Sequence, residues 1–249
     1  MIKGIIFDLG WTLMYYDGDW KDVNPRAAGA TAAFLNAHGI AVGDDFPAAF
    51  QAAREARWKR ADETGVEQTT EDALRDALAQ FGYTASLDGL LPRAVRVFFE
   101  EHERRWRAYP DALATLQELT RRSLRVGLFS NSDDDGLVQN CVTQFGFAPY
   151  LKPVLSSAMP HRLRKPDPRA FHLVSDAWHI APREIVMVGD APQYDVLGAH
   201  RAGMRAILID HAENFWWQKI PDDRANDPAL RADATVKTLA EVPSVIEEM

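Results

Sequence analysis

Ile2-Lys3-Gly4-Ile5-Ile6-Phe7-Asp8-Leu9-Gly10 opens the chain and decides how the rest is read. Residues 2–7 are a short apolar run, rich in β-branched side chains, that stops at an aspartate and a glycine. That is the pattern of a buried strand running into a loop. It recurs further on: 124–129 ends at Ser130-Asn131-Ser132, 151–155 at Ser156-Ser157, 185–188 at Gly189-Asp190, and 205–209 at Asp210. The runs are apolar on both faces, as expected of parallel strands covered on two sides. Helical periodicity fills the intervals at 111–121, 136–145, 168–178 and 195–202, and closes the chain at 242–249. In the first of these, Leu113, Leu116 and Leu119 share one side. Strand and helix in alternation predict an α/β fold with a doubly wound, Rossmann-like parallel sheet.

Between the first and second strand runs the rhythm breaks. Residues 17–107 contain no strand pattern. Helical patterns lie instead at 25–38, 45–62, 70–81 and 88–106. The third is the clearest, with Thr70 placed to cap it and Leu74, Leu78 and Phe81 along one face. The predicted organisation is a core of 1–15 with 107–249 and an all-helical insert of 16–106.

Composition narrows the function classes. The 249 residues are 47% hydrophobic and 26% charged, which is ordinary globular usage. A formal net charge of −8 and only short basic clusters argue against a nucleic-acid partner. The single cysteine, Cys141, excludes an intramolecular disulfide and sits in an apolar helical pattern, so a buried small hydrophobe is expected. No signal-peptide pattern and no run of about 18 apolar residues is present, so a cytoplasmic protein without a membrane partner is expected.

In open α/β sheets the working crevice lies beyond the carboxyl ends of the strands. Those ends carry Asp8, Ser130, Asn131 and Asp190, with Asp195 shortly after. Lys165 heads a helix opened by Lys165-Pro166-Asp167-Pro168. Each residue type suits phosphoryl transfer. A carboxylate can attack phosphorus and carry the group as an acyl phosphate. Asp8 and Asp190 suit Mg²⁺, which takes oxygen ligands and commonly one or two carboxylates. Ser130 and the amides after it can hydrogen-bond phosphate oxygens. Lys165 supplies a point charge that stabilises the transferring group and keeps Asp8 ionised. Asn131 either joins the phosphate site or only shapes its loop.

These residues resemble the four motifs of the haloacid dehalogenase superfamily. Phe7-Asp8-Leu9-Gly10-Trp11-Thr12-Leu13 is similar to the first and Leu128-Phe129-Ser130-Asn131 to the second. Arg164-Lys165-Pro166-Asp167-Pro168 with Phe171 is similar to the third. Val188-Gly189-Asp190 with Asp195, Gly198-Ala199 and Ala202-Gly203-Met204 is similar to the fourth. One such motif is weak; four in order are strong. The helical insert resembles the α-helical cap of the family's first subgroup. The resemblance implies a Mg²⁺-dependent hydrolase of a small phosphorylated metabolite, monomeric or homodimeric. Asp8 would be nucleophile and metal ligand, and Gly10 would bind metal through its carbonyl. Asp190 and Asp195 would hold the metal, and Ser130 and Lys165 the phosphate.

Gly10 departs from the family pattern, because most of its phosphatases carry there a second aspartate that serves as general acid and base. Such catalysis is worth ~10²–10⁴-fold. Three readings stand. The chain is a phosphatase whose substrate has a good leaving group, or whose acid comes from water or another residue, Asp17 and Asp19 being candidates. Or it is a phosphonate (C–P) hydrolase or dehalogenase-like enzyme, which needs no such acid; the retained Asp190 weighs against dehalogenation, and the insert lysines Lys21 and Lys59 do not sit in a phosphonate-hydrolase motif. Or it is a non-catalytic phosphate-binding module. Trp11 either touches substrate or wedges its turn. Trp216 and Trp217, in Asn214-Phe215-Trp216-Trp217, line an entrance, form a dimer patch or simply pack. The histidines show no metal-ligand spacing, and there is neither a P-loop nor a dinucleotide fingerprint.

Overall fold

The computed structural model describes residues 1–84, 87, 89–212 and 215–249, residue 216 by its backbone. Its centre is a six-stranded, all-parallel sheet in the order β5-β4-β1-β6-β7-β8. The strands are β1 (Gly4–Phe7), β4 (Arg125–Ser130), β5 (Val154–Ser156), β6 (Ile185–Gly189), β7 (Arg205–Ile209) and β8 (Ala234–Val236). The predicted doubly wound sheet is therefore the observed one.

Two-residue alternation along these strands feeds two separate cores. Ile5, Phe7, Leu128, Val186 and Val188 point to one side. There α5 (Ala112–Arg121), α6 (Asp135–Gln144) and α9 (Val242–Glu248) cover them through Leu116, Val138, Cys141 and Ile246. Ile6, Phe129 and Met187 point to the other, under α7 (Pro168–Trp178) and α8 (Leu197–Arg201), which supply Phe171, Val174, Trp178 and Ala199. Burying such a side chain fully is worth about 1.5–3 kcal/mol. On the second side, Gly4 and Gly127 make a flat bed for the Trp178 indole. A Cβ on either glycine would stand 2.7 Å from that ring. The indole nitrogen donates to the Lys152 carbonyl at 2.7 Å, so the ring is fixed at both ends.

The long excursion carries four helices: α1 (Trp20–Ala37), α2 (Phe46–Thr64), α3 (Thr70–Gln80) and α4 (Leu91–Glu103). Phe46, Phe50, Leu74, Leu78 and Phe98 are fully buried among them. Two short strands bound it, β2 (Met14–Tyr16) and β3 (Trp106–Ala108), paired antiparallel with Tyr16 opposite Trp106. The helices lie over the carboxyl edge of the sheet. Asp133, in the loop after β4, accepts from Arg54 at 2.9 Å, Trp58 at 3.0 Å and the Thr70 hydroxyl at 2.8 Å.

Several local readings need correction. The first helix starts at Trp20, not 25, because Asp19 caps it by accepting from the Lys21 amide at 2.8 Å. Thr69, not Thr70, caps α3, in a capping box with Asp72 that satisfies two helix-start donors at once. Leu113 is exposed; Ala112 and Thr115 join Leu116 and Leu119 on the buried face of α5. The fourth helix stops at Glu103 and Trp106 begins β3, while its expected start at Asp88 lies outside the described residues. Residues 192–196 make a π-helical turn before α8 rather than continuing it. Among the described residues no helix is long and apolar enough to cross a membrane.

Candidate active site

Parallel strands end on the same edge, so the residues that stop each apolar run gather there. Asp8 follows β1, Ser130 ends β4, Asp190 follows β6, and Asp195 sits in the π turn after it. Lys165 comes from the loop before α7. Exposures of 7% for Asp8, 2% for Lys165, 5% for Asp190 and 2% for Asp195 place a charged cluster inside the protein.

The Lys165 ammonium donates to Asp8 Oδ1 at 2.5 Å and to Asp195 Oδ1 at 2.6 Å. Asp195 Oδ2 accepts from the Ala191 amide at 3.0 Å, so both of its oxygens are held. One carboxylate oxygen each from Asp8, Asp190 and Asp195 lie within 4.8 Å of one another. Burial alone would push the Lys165 ammonium down, but the Asp195 and Asp8 carboxylates together hold it above its ordinary value. Asp8 is pushed up to about 6, first by burial and then by Asp195, against the pull of Lys165. Asp190 is raised well above the ordinary carboxylate range by burial and by the neighbouring Asp8.

Three buried carboxylates against one ammonium leave a negative excess. Buried charges require partners, and oxygen donors this close suit a hard divalent cation. The residues present therefore fit a metal of that class, with Asp8, Asp190 and Asp195 as the ligands. The donors of this cluster are all carboxylate oxygens, with no histidine or cysteine among them.

Asn131 is committed to the loop. Its side-chain nitrogen donates to the Lys165 carbonyl at 3.0 Å and its oxygen accepts from the Lys165 amide at 2.8 Å. Of its two readings, this favours the loop-shaping one. Ser130 is buried beside it, and its carbonyl accepts from the Ser157 amide at 2.9 Å. Asp17 and Asp19 do not join the cluster. Asp17 is exposed and paired with Arg107 at 3.6 Å, and Asp19 is spent as a helix cap.

The space beside Gly10 is aromatic. A Cβ there would lie at an ordinary contact distance of 3.5 Å from Cη2 of Trp106. Trp11 takes a left-handed φ of 55°. Its ring meets Trp106 at 5.2 Å, Trp217 at 5.0 Å and Phe215 at 5.3 Å. Trp11 thus wedges its turn against an aromatic wall, and Trp217 packs into that wall, while Asn214 lies outside the described residues.

Three features escaped the sequence reading. Trp106 reaches Gly10 from far along the chain. Trp217 and Gln218 donate to Asp190. Glu67, between α2 and α3, is 4% exposed and accepts from the Ser157 hydroxyl at 2.5 Å. Only the cluster of aromatic residues around 215–217 offered a signal for any of them, and it did not reveal where they point.

Comparisons with known proteins agree with this geometry. A family profile described as haloacid dehalogenase-like hydrolase matches residues 2–203. A phosphoserine phosphatase of Thermus thermophilus is 36% identical over 197 residues, 76% of this chain and 73% of the relative. A phosphoglycolate phosphatase of Vibrio vulnificus is 31% identical over 132 residues, 53% of this chain; the match spans 54%, about half, of that relative. Among solved structures, a 2-haloacid dehalogenase from Pseudomonas syringae superposes with a TM-score of 0.70 at 26% identity. That match covers 100% of this chain and 99% of the dehalogenase.

Proposed function

The chain belongs to the haloacid dehalogenase-like hydrolases, and from that premise we propose that it is a Mg²⁺-dependent phosphatase of small phosphorylated metabolites with Asp8 as nucleophile. The observation that carries this reading is the buried cluster in which Lys165 bridges Asp8 and Asp195 beside Asp190. Asp8, Asp190, Asp195 and the Gly10 carbonyl would hold Mg²⁺, which when bound neutralises charge on the phosphoryl oxygens and on Asp8.

Lys165 keeps Asp8 ionised and aimed, and with Ser130 binds the phosphoryl oxygens. Asn131 acts through the Lys165 backbone, fixing the loop that carries the ammonium. An Asp8 oxygen attacks phosphorus, the bond from phosphorus to the leaving oxygen breaks, and the group is carried as an acyl phosphate. Water then attacks this phosphoryl group, releasing inorganic phosphate and restoring the carboxylate. The helices of 16–106 act as a cap that excludes bulk water.

Gly10 supplies no proton, and the rings of Trp11 and Trp106 beside it offer no carboxyl in its place. Leaving oxygens that depart as stable anions are therefore favoured. Dehalogenation is disfavoured by the same cluster, since displacing a halide from carbon has no use for the cation that three buried carboxylates call for.

The test is phosphate release from aryl, acyl and alkyl phosphates, with and without Mg²⁺, for wild type and Asp8→Asn, with halide release from 2-haloacids in parallel. The expected result is release that needs both Mg²⁺ and Asp8 and falls as the leaving group becomes more basic. Release that survives Asp8→Asn, or halide release without phosphate release, overturns the reading.

A further inference from the structure

Asp190 lies at the end of β6, yet its carboxylate is gripped from elsewhere. Trp217 Nε1 donates to Asp190 Oδ2 at 3.1 Å and Gln218 Nε2 donates to the same oxygen at 2.9 Å. Both donors come from the short segment 215–218 that follows β7. A carboxylate oxygen has about two lone-pair sites, so the two donors fill Oδ2 and leave Oδ1 as the ligand atom.

The donors are themselves held. The Trp217 ring stacks on Phe215 at 4.5 Å, with planes 3° apart, and also meets Trp11 at 5.0 Å. Gln218 Oε1 accepts from the Phe215 amide at 3.1 Å, which settles the amide orientation and turns Nε2 to Asp190. Gln193, in the turn that carries Asp195, donates to the Lys219 carbonyl at 3.2 Å and ties the segment down.

We infer that Trp217 and Gln218 are positioning residues for the cation site: together they fix the Asp190 carboxylate so that Oδ1 faces the oxygens of Asp8 and Asp195. This rests on the metal-dependent reading above and extends it to a segment outside the four motifs. Through Trp11, which adjoins Gly10, the same segment links the aromatic wall to the cation site.

Outer partners of a metal ligand change affinity about 10–100-fold when removed. The test is calorimetric titration of Mg²⁺ into wild type, Trp217→Phe, Gln218→Met and Asp190→Asn, with the Tm of each metal-free protein as the folding control. Trp217→Phe keeps a stacking ring while removing the N–H together with the second ring of the indole; Gln218→Met keeps length and removes the donor. The expected result is binding weakened about 10-fold or more in each variant at unchanged Tm, and abolished in Asp190→Asn. Wild-type affinity in both Trp217→Phe and Gln218→Met, with Asp190→Asn dead, overturns the inference and leaves the metal reading intact. Tighter binding in these variants also overturns it, because the segment would then compete with the cation. Absence of binding in wild type overturns the metal reading and the inference with it. If one variant unfolds, the other still decides.

Discussion

Replacing Lys165 by methionine tests the electrostatics on which the site is built. The wild-type ammonium is 2% exposed and bonds two carboxylates at 2.5 and 2.6 Å, themselves only 10% and 2% exposed as side chains. Methionine approximates its length without charge, so packing changes little while Asp8 and Asp195 lose their counter-ion. Removing one partner of a buried pair costs about 3–5 kcal/mol, because the other charge stays buried and uncompensated. For a chain of this size each kcal/mol is worth roughly 2–4 °C, so Tm at pH 7 without divalent cation should fall by roughly 6–20 °C. The pH dependence has a definite sign. Asp8 already titrates at about 6 in the folded protein against 3.8 ordinarily. Its folded form therefore binds the extra proton first, and its contribution to stability improves as pH falls through that window. Loss of the ammonium raises that carboxyl further, so the gap between variant and wild type should narrow as pH drops from about 7 to about 4. Mg²⁺ at a hundred times its Kd should return ~2.7 kcal/mol to a protein that binds it. Thermal unfolding followed by circular dichroism, at three pH values with and without Mg²⁺, measures all of this. A fall smaller than about 2 °C at pH 7, or a gap that widens on acidification, would refute the reasoning.

Gly10→Asp should add a proton donor, since a Cβ there meets Trp106 only at the ordinary contact distance of 3.5 Å. Turnover of alkyl phosphates should rise by ~10²-fold, the low end of general-acid effects, with aryl phosphates nearly unchanged; kcat on a matched pair of esters measures it. Asp134 caps α6 through the Leu137 amide at 2.7 Å, yet burial and the neighbouring Asp133 and Asp135 push it up to about 6. Its ionised form therefore costs stability above that pH, and Asp134→Asn, which keeps the cap, should stabilise by about 1 kcal/mol at pH 7. That gain should shrink as pH falls from about 6 and vanish by about pH 3, below the ordinary value of 3.8, where the wild-type carboxyl is protonated in both states; chemical denaturation at the two pH values checks it.

The carboxyl edge was legible because of how parallel strands are built. A strand buried on both faces must be apolar throughout, so its end is marked by the first residue with chemistry. Asp8, Ser130 and Asp190 announce themselves in this way. The helical excursion was legible as a stretch in which that pattern is missing. Short elements were not: β2, β3 and β8 are three residues long, too few for any periodicity, and β5 begins at Val154 rather than 151. Long-range aim was not legible either. Nothing in Phe215-Trp216-Trp217-Gln218 says that its donors converge on Asp190, and nothing in Trp106 says that its ring lies beside Gly10. Such contacts follow from the packing of distant elements, and single-sequence patterns report only neighbours.

The pairing of β2 with β3 bears on how such a molecule can change. Tyr16 and Trp106 face each other across a hydrogen-bonded ribbon, so the chain departs from the sheet and comes back at one doorway. For the sheet, the excursion is a loop whose ends are already clamped, and the entropic cost of closing a clamped loop grows only slowly with its length. Whatever hangs from that doorway can be lengthened, exchanged or rebuilt while the strand ends that carry Asp8, Ser130 and Asp190 keep their spacing. The ribbon is in effect a socket: the strand ends stay with the wall, whatever fitting is plugged into it.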